Sequence, residues 1–161
     1  MSARRILACV DLSAFSARVI DCARALAEPD GTLVILHVAA PDPEFVGYAA
    51  GPKSVRDAVA ADLREEHRAV QSLADGVRSS GLTVTPLAVQ GATTDRIHEH
   101  AVRLDVDFVV IGSRSHGALH DLVVGSVVQG VLRGAATPVV VVPLPSTDAR
   151  AHPDESEQDR R

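Results

Sequence analysis

Apolar positions along this chain alternate between two periods. Ile6 to Val10 is a short run with no polar interruption, the pattern of a strand covered on both faces. Asp11-Leu12-Ser13 ends it. Phe15, Val19, Cys22, Ala23 and Leu26 then recur at helical spacing, and Pro29-Asp30-Gly31 stops that helix. Leu33 to Val38 reads as the second strand. Pro41 to Lys53 is rich in Pro, Gly and Ala and reads as a mobile loop. Ser54-Val55-Arg56-Asp57 has the form of a capping box with Asp in place of Glu. Val59, Leu63, Val70, Leu73 and Val77 carry a long amphipathic helix from there to about Ser80-Gly81.

Leu82 to Val89 alternates, and Pro86 within it predicts a strand at the edge of the sheet. Thr94 is expected to cap a helix with Ile97, Ala101 and Leu104 on one face. Asp107 to Ile111 is the fourth strand. Ser126 starts the last helix, with Val128, Val131 and Leu132 facing inward. Thr137-Pro138 leads into the fifth strand, Val139 to Val142, which Pro143-Leu144-Pro145 ends. The domain is expected to span residues 1–145. Residues 146–161 are charged and polar with no apolar face, the composition of a disordered tail.

Strands that alternate with helices predict an α/β fold: a five-stranded parallel sheet with helices on both faces and right-handed crossovers. In such sheets ligands bind beyond the carboxyl ends of the strands, where the strand order reverses. If strands one and four are neighbours there, Asp11 and the segment from Gly112 to Ser126 face one crevice.

Composition narrows the function. The chain has 161 residues, 46% of them hydrophobic and only 2% aromatic, so Val, Leu, Ile and Ala must build the core of one domain. A net charge of -5 and the lack of an Arg-rich stripe with interleaved aromatics argue against nucleic acid as a partner. Lys53 is the only lysine, which excludes phosphate loops built on a strand-end lysine. Cys9 and Cys22 have neither metal nor redox spacing and read as small buried hydrophobes. The N-terminus does not read as a signal peptide and no run has membrane-span length, so a cytoplasmic protein without a membrane partner is expected.

The segment from Val109 to Val142 carries the candidate chemistry. A strand run ends at Gly112, small and polar residues follow, and Gly125-Ser126 opens a helix. Glycines let the backbone approach an anion, and the free N–H groups of a helix start point at it. This is a phosphate site in outline, although the same glycines also suit tight turns and close packing. There is no G-x-G-x-x-G after strand one and no Walker A sequence. Of the acids a phosphoreceiver needs, only Asp11 is in place. Arg114 suits either a phosphate partner or a solvated loop position. His116 and His120 would need a helix to converge on a metal, and Gly117 argues against one. His98-Glu99-His100 is expected on a solvent face. His37 reads as a satisfied histidine of the core or crevice edge. No residue near the motif reads as an activated nucleophile, so no catalytic residue is assigned.

These residues together resemble the universal stress protein family. The family's nucleotide signature is a glycine, two residues, a glycine, nine residues, then glycine and serine or threonine. Gly112 and Gly125-Ser126 match its ends with the right spacing; Ser115 replaces the middle glycine, and Gly117 lies two positions later. ILACVDLS, LVILHVA and GATTDRI extend the resemblance from Arg4 to about Pro143. It implies a Rossmann-like sheet of strand order 3-2-1-4-5 and binding of ATP, alone or with magnesium. Asp11 would then sit at the nucleotide crevice and Val38 would offer backbone groups to adenine. Gly112 would pass the ribose and phosphates, with Arg114 and Ser115 beside it. Gly125, Ser126 and the N–H of Val127 would hold the phosphates. The resemblance further implies a regulatory role in stress response, at most slow hydrolysis, and a homodimer through Val139–Val142. Two alternatives stay open: a nucleotide-free scaffold of the same fold, and an enzyme of the adenine-nucleotide α-hydrolase class.

Overall fold

A computed structural model describes residues 4–41, 53–78, 81–113 and 125–143. Arg114, Ser115, the His116/His120 pair, nearly all of the expected loop before Lys53 and the expected tail lie outside the described residues. The elements run β1 (Arg5–Val10), α1 (Ser16–Leu26), β2 (Thr32–Ala39), α2 (Lys53–Asp75), β3 (Thr83–Gln90), α3 (Thr93–Arg103), β4 (Phe108–Gly112), α4 (Ser126–Arg133) and β5 (Val139–Val142). The strands form one parallel sheet of order β3-β2-β1-β4-β5. β1 and β4 lie side by side in the middle of the sheet, with Cys9 opposite Ile111. Pro86 falls on the edge strand β3, opposite Ile35, where its missing N–H costs no pairing on the outer side.

Alternation along the strands sends side chains to two separate apolar layers. Ile6, Ala8, Leu33, Ile35 and Val110 pack under α1 and α2 against Val19, Ala23 and Val70. Leu7, Cys9, Leu36, Val109 and Ile111 pack under α3 and α4 against Ile97, Val128 and Val131. Burial pushes the Cys9 thiol up to about 12, so it behaves as a hydrophobe.

Several local expectations change at the helix ends. α2 is already under way at Lys53, so Ser54 lies inside the helix and does not cap it; the helix ends at Asp75, short of Ser80. Ala92 is the N-cap of α3, because Arg96 N–H closes the first turn on the Ala92 carbonyl at 3.0 Å. Thr94 is therefore the second helical residue. At α4, Gln129 N–H bonds the Gly125 carbonyl at 3.0 Å, which makes Gly125 the N-cap and Ser126 the first helical residue. Leu132 is 47% exposed, not inward. Val128 and Val131 fill the sheet-facing stripe of this short helix, and the next residue lies about 100° further round. His100 is buried, with Nδ1 2.8 Å from the Arg96 carbonyl oxygen, and His98 is half-buried. The expected solvent face for this pair is wrong, since His100 shares the inward stripe of Ile97 and Ala101.

The two-layer packing makes a contrast testable. Ile35→Ala, at a fully buried position in the middle of β2, is expected to lose about 2–5 kcal/mol of stability. Leu132→Ala is expected to stay within about 0.5 kcal/mol of the wild type. Urea unfolding of the two variants checks both; similar losses would contradict the outward placement of Leu132.

Candidate functional site

The sheet is wound in two directions from its centre: β1 to β2 to β3 on one side, β4 to β5 on the other. The crossovers leaving β1 and β4 therefore diverge, and a crevice opens between them at the carboxyl ends of the strands. Asp11 follows β1 directly at that end and Gly112 closes β4. α4 starts at the same end, since its chain comes from β4 and returns to β5 in parallel. The structure thus brings Asp11, Gly112 and the Gly125–Val127 helix start to one end of the sheet. Val38 lies near the end of β2, and Val38 and Val127 both pack against the apolar layer under α3 and α4.

The β1–α1 turn is organised by Asp11. Its Oδ1 accepts from Ser13 N–H at 3.0 Å, Ser13 Oγ–H at 2.6 Å and Ser16 Oγ–H at 3.3 Å. Leu12 between them has φ 60, a left-handed conformation that a leucine adopts only when its surroundings impose it. Ser16 is 1% exposed, so its hydroxyl is tied into this turn rather than into solvent. The sequence reading missed Ser13 and Ser16; the signal was two hydroxyls at helix-start spacing after a strand-end aspartate.

Gly112 has a specific neighbour. A Cβ there would lie 2.8 Å from Phe15 Cε1 and 3.0 Å from Cδ1. The Phe15 ring fills the place a side chain would take, and so joins the start of α1 to the end of β4. Ser113 N–H continues the ladder to the Val142 carbonyl at 2.8 Å. Gly125 is buried, while Ser126 is exposed at the first position of α4. There the early N–H groups of the helix lack intrahelical acceptors and the helix dipole favours negative charge.

His37 borders this end of the sheet from the α2 side. Its Nδ1 lies 3.0 Å from the Val10 carbonyl oxygen, so Nδ1 carries the proton. Its Nε2 faces Glu66 Oε2 at 3.7 Å, beyond hydrogen-bond range. The histidine stands at the crevice edge as expected, but it is satisfied only at Nδ1; its buried Nε2 has no hydrogen-bond partner, and Glu66 is an unanticipated neighbour. On the other side, Arg96 Nε donates to the Gln90 carbonyl at 2.9 Å and its other arm to Glu99 at 2.6 Å. That hydrogen bond from Arg96 holds the Glu99 carboxyl below its usual range. Among the described residues, no group of three or more His, Cys, Asp and Glu side chains could hold a metal ion. No described helix is long and apolar enough to cross a membrane.

Known proteins share both the sequence pattern and this architecture. The model of the universal stress protein family matches residues 2–143. The universal stress protein YxiE of Bacillus subtilis is 26% identical over 144 residues, covering 86% of this chain and 97% of its own. Among solved structures, hypothetical protein MJ0577 superposes with a TM-score of 0.71 at 22% identity, over 88% of this chain and 96% of its own. An Arabidopsis thaliana universal stress protein family member with AMP bound gives a TM-score of 0.61 at 15% identity, covering 89% and 93%. A universal stress protein in complex with cAMP gives 0.57 at 21% identity, covering 89% and 98%. These structural likenesses concern the fold. With the family pattern running through β1 to β5 and the sheet ordered β3-β2-β1-β4-β5, the chain belongs to the universal stress protein family.

Proposed function

We propose that this protein is a cytoplasmic adenine-nucleotide receptor, with ATP, alone or with magnesium, as the ligand, acting as a regulatory module in stress response. The observation that carries the reading is the start of α4. Gly125 and Ser126 stand at the carboxyl end of the sheet, beside the strand ends that carry Asp11 and Gly112. In this reading the N–H groups of Ser126 and Val127 bind phosphate oxygens. The backbone of Val38 meets adenine, Asp11 and Gly112 border the ribose, and Arg114 and Ser115 complete the phosphate end. AMP and cAMP in two relatives of the same fold support an adenine nucleotide. The role is binding rather than turnover, since the Asp11 carboxylate is engaged in ordering its own turn.

Substituting Ser126 separates binding from folding. Ser126→Asp places a negative charge at a helix N-terminus, which is expected to raise stability by about 0.3–1 kcal/mol. The same charge is expected to weaken ATP binding by about tenfold or more through repulsion of the phosphates. Calorimetric titration and thermal unfolding of one sample read both. Unchanged ATP affinity in this variant and in a folded Gly125→Val protein would sink the proposed phosphate site.

The packing of Phe15 on Gly112 favours a second reading, in which the glycines serve packing and the protein is a nucleotide-free scaffold. Ser115 decides between them. The wild type is expected to bind ATP within about tenfold of Ser115→Gly, because serine is a small departure from glycine and its hydroxyl adds a donor for a phosphate oxygen. Binding by the glycine variant alone would make the natural protein a scaffold.

We further propose a homodimer through Val139–Val142. β5 is the outer strand next to β4, and its valines leave an apolar edge with unpaired backbone groups, a template for pairing. Pro138 and Pro143 limit that pairing to a short two-fold segment. Light scattering coupled to gel filtration is expected to give twice the chain mass, and Val141→Lys a shift toward monomer. A wild-type monomer at micromolar concentration rules the interface out.

A further inference from the structure

α4 is a poor helix by its own composition. Its 8 residues are fewer than an isolated helix needs in water. Gly130 in its interior costs about 1 kcal/mol relative to alanine. Gly134 caps it at φ -105, ψ 6, a conformation open to any residue. The backbone asks for glycine at neither position; the neighbouring helix does. A Cβ on Gly130 would stand 2.7 Å from Thr94 Oγ1 and 3.0 Å from its Cγ2. A Cβ on Gly134 would overlap His98 Cε1 and stand 3.0 Å from its Nδ1. Thr94 and His98 are one turn apart on α3, as Gly130 and Gly134 are on α4, so two side chains seat in two notches.

Between the notches, His98 Nε2 lies 2.9 Å from the Val131 carbonyl oxygen. That oxygen only accepts, so Nε2 donates. It belongs to the last turn of α4, whose carbonyls lack a donor further along the helix. The opposite side of α4 is pinned to the sheet by Val128 and Val131, each 1% exposed. The helix is thus held from two directions.

We propose that this two-notch seam sets the position of the α4 N-terminus, and that Thr94 and His98 are positioning residues for the phosphate end of the site. The proposal rests on the nucleotide reading for its ligand, but the seam itself has an independent readout. Thr94 Cβ lies 3.4 Å from the Cβ that Gly130→Ala would add, so Thr94→Ala makes room for it.

The experiment compares the wild type, Gly130→Ala and Thr94→Ala/Gly130→Ala by titration with ATP and with adenosine, which carries no phosphate to reach α4. Gly130→Ala is expected to weaken ATP about tenfold while adenosine stays within about twofold, and the double variant to restore ATP. In parallel, amide exchange is followed at Gln129, whose N–H bonds the Gly125 carbonyl. It is expected to quicken in the single variant and recover in the double. A single variant with wild-type ATP affinity and wild-type Gln129 exchange overturns the proposal, as does a double variant no better than the single. Equal losses for ATP and adenosine also overturn it, since they mark a general packing role. If the wild type binds neither ligand, the nucleotide reading fails and Gln129 exchange alone decides the seam. If Gly130→Ala does not fold, His98→Ala is expected to show the same split between ATP and adenosine, and the absence of that split overturns the proposal.

Discussion

β1 and β4 lie side by side with their side chains buried on both faces, and most of the molecule follows from that pairing. A strand with water on neither face needs an apolar layer above and below it. Helices must then cover both sides, which the right-handed crossovers supply by leaving β1 in one direction and β4 in the other. The same divergence puts the carboxyl ends of these two strands at the switch point of the sheet. The crevice is thus a by-product of how the core is closed, and the Asp11 turn and the end of β4 stand at it without further arrangement.

Small residues at the end of β4 and along α4 answer to their neighbours more than to their own backbones. Gly112 makes room for the Phe15 ring, and Gly130 and Gly134 make room for Thr94 and His98. Such contacts are narrow: a single methyl group would bring atoms within the distance at which one of them must move. α4 has little stability of its own, so its placement is a property of α3 and the sheet. Any affinity its N-terminus has for an anion is accordingly a property of the whole domain.

Histidine has a recurring role here. His37, His98 and His100 each direct a ring nitrogen at a backbone carbonyl, those of Val10, Val131 and Arg96. The Val10 carbonyl ends a strand and the Val131 carbonyl lies in a last helical turn, where ladder partners run out and burial makes an unpaired group costly; the Arg96 carbonyl lies within α3. In a chain with few aromatics, a half-apolar ring with a donor fills space and satisfies such a group at once. His37 and His98 connect elements, whereas the His100 contact closes within α3 itself.

Much of this architecture was legible in the residues alone. Uninterrupted apolar runs from Ile6 to Val10 and around Val110 mark strands buried on both faces, Pro86 marks the edge, and helical spacing marks the layers between. Gly125-Ser126 and Asp11 could be located as a helix start and a strand end, because both are local signals read over a few positions. Cap assignments failed at Ser54 and Thr94, which both lie inside their helices; at Thr94 the backbone bond that closes the first turn decides which residue stands outside. The directions of Leu132, His98 and His100 failed for a related reason. Periodicity says that a helix has a buried stripe, but its width depends on how many neighbours touch it, and α4 meets the sheet and α3 at once. The Phe15–Gly112 contact and the Thr94 and His98 notches join residues far apart in the chain. They exist only once the sheet has brought those segments within a side chain's reach, so only the tertiary structure decided them.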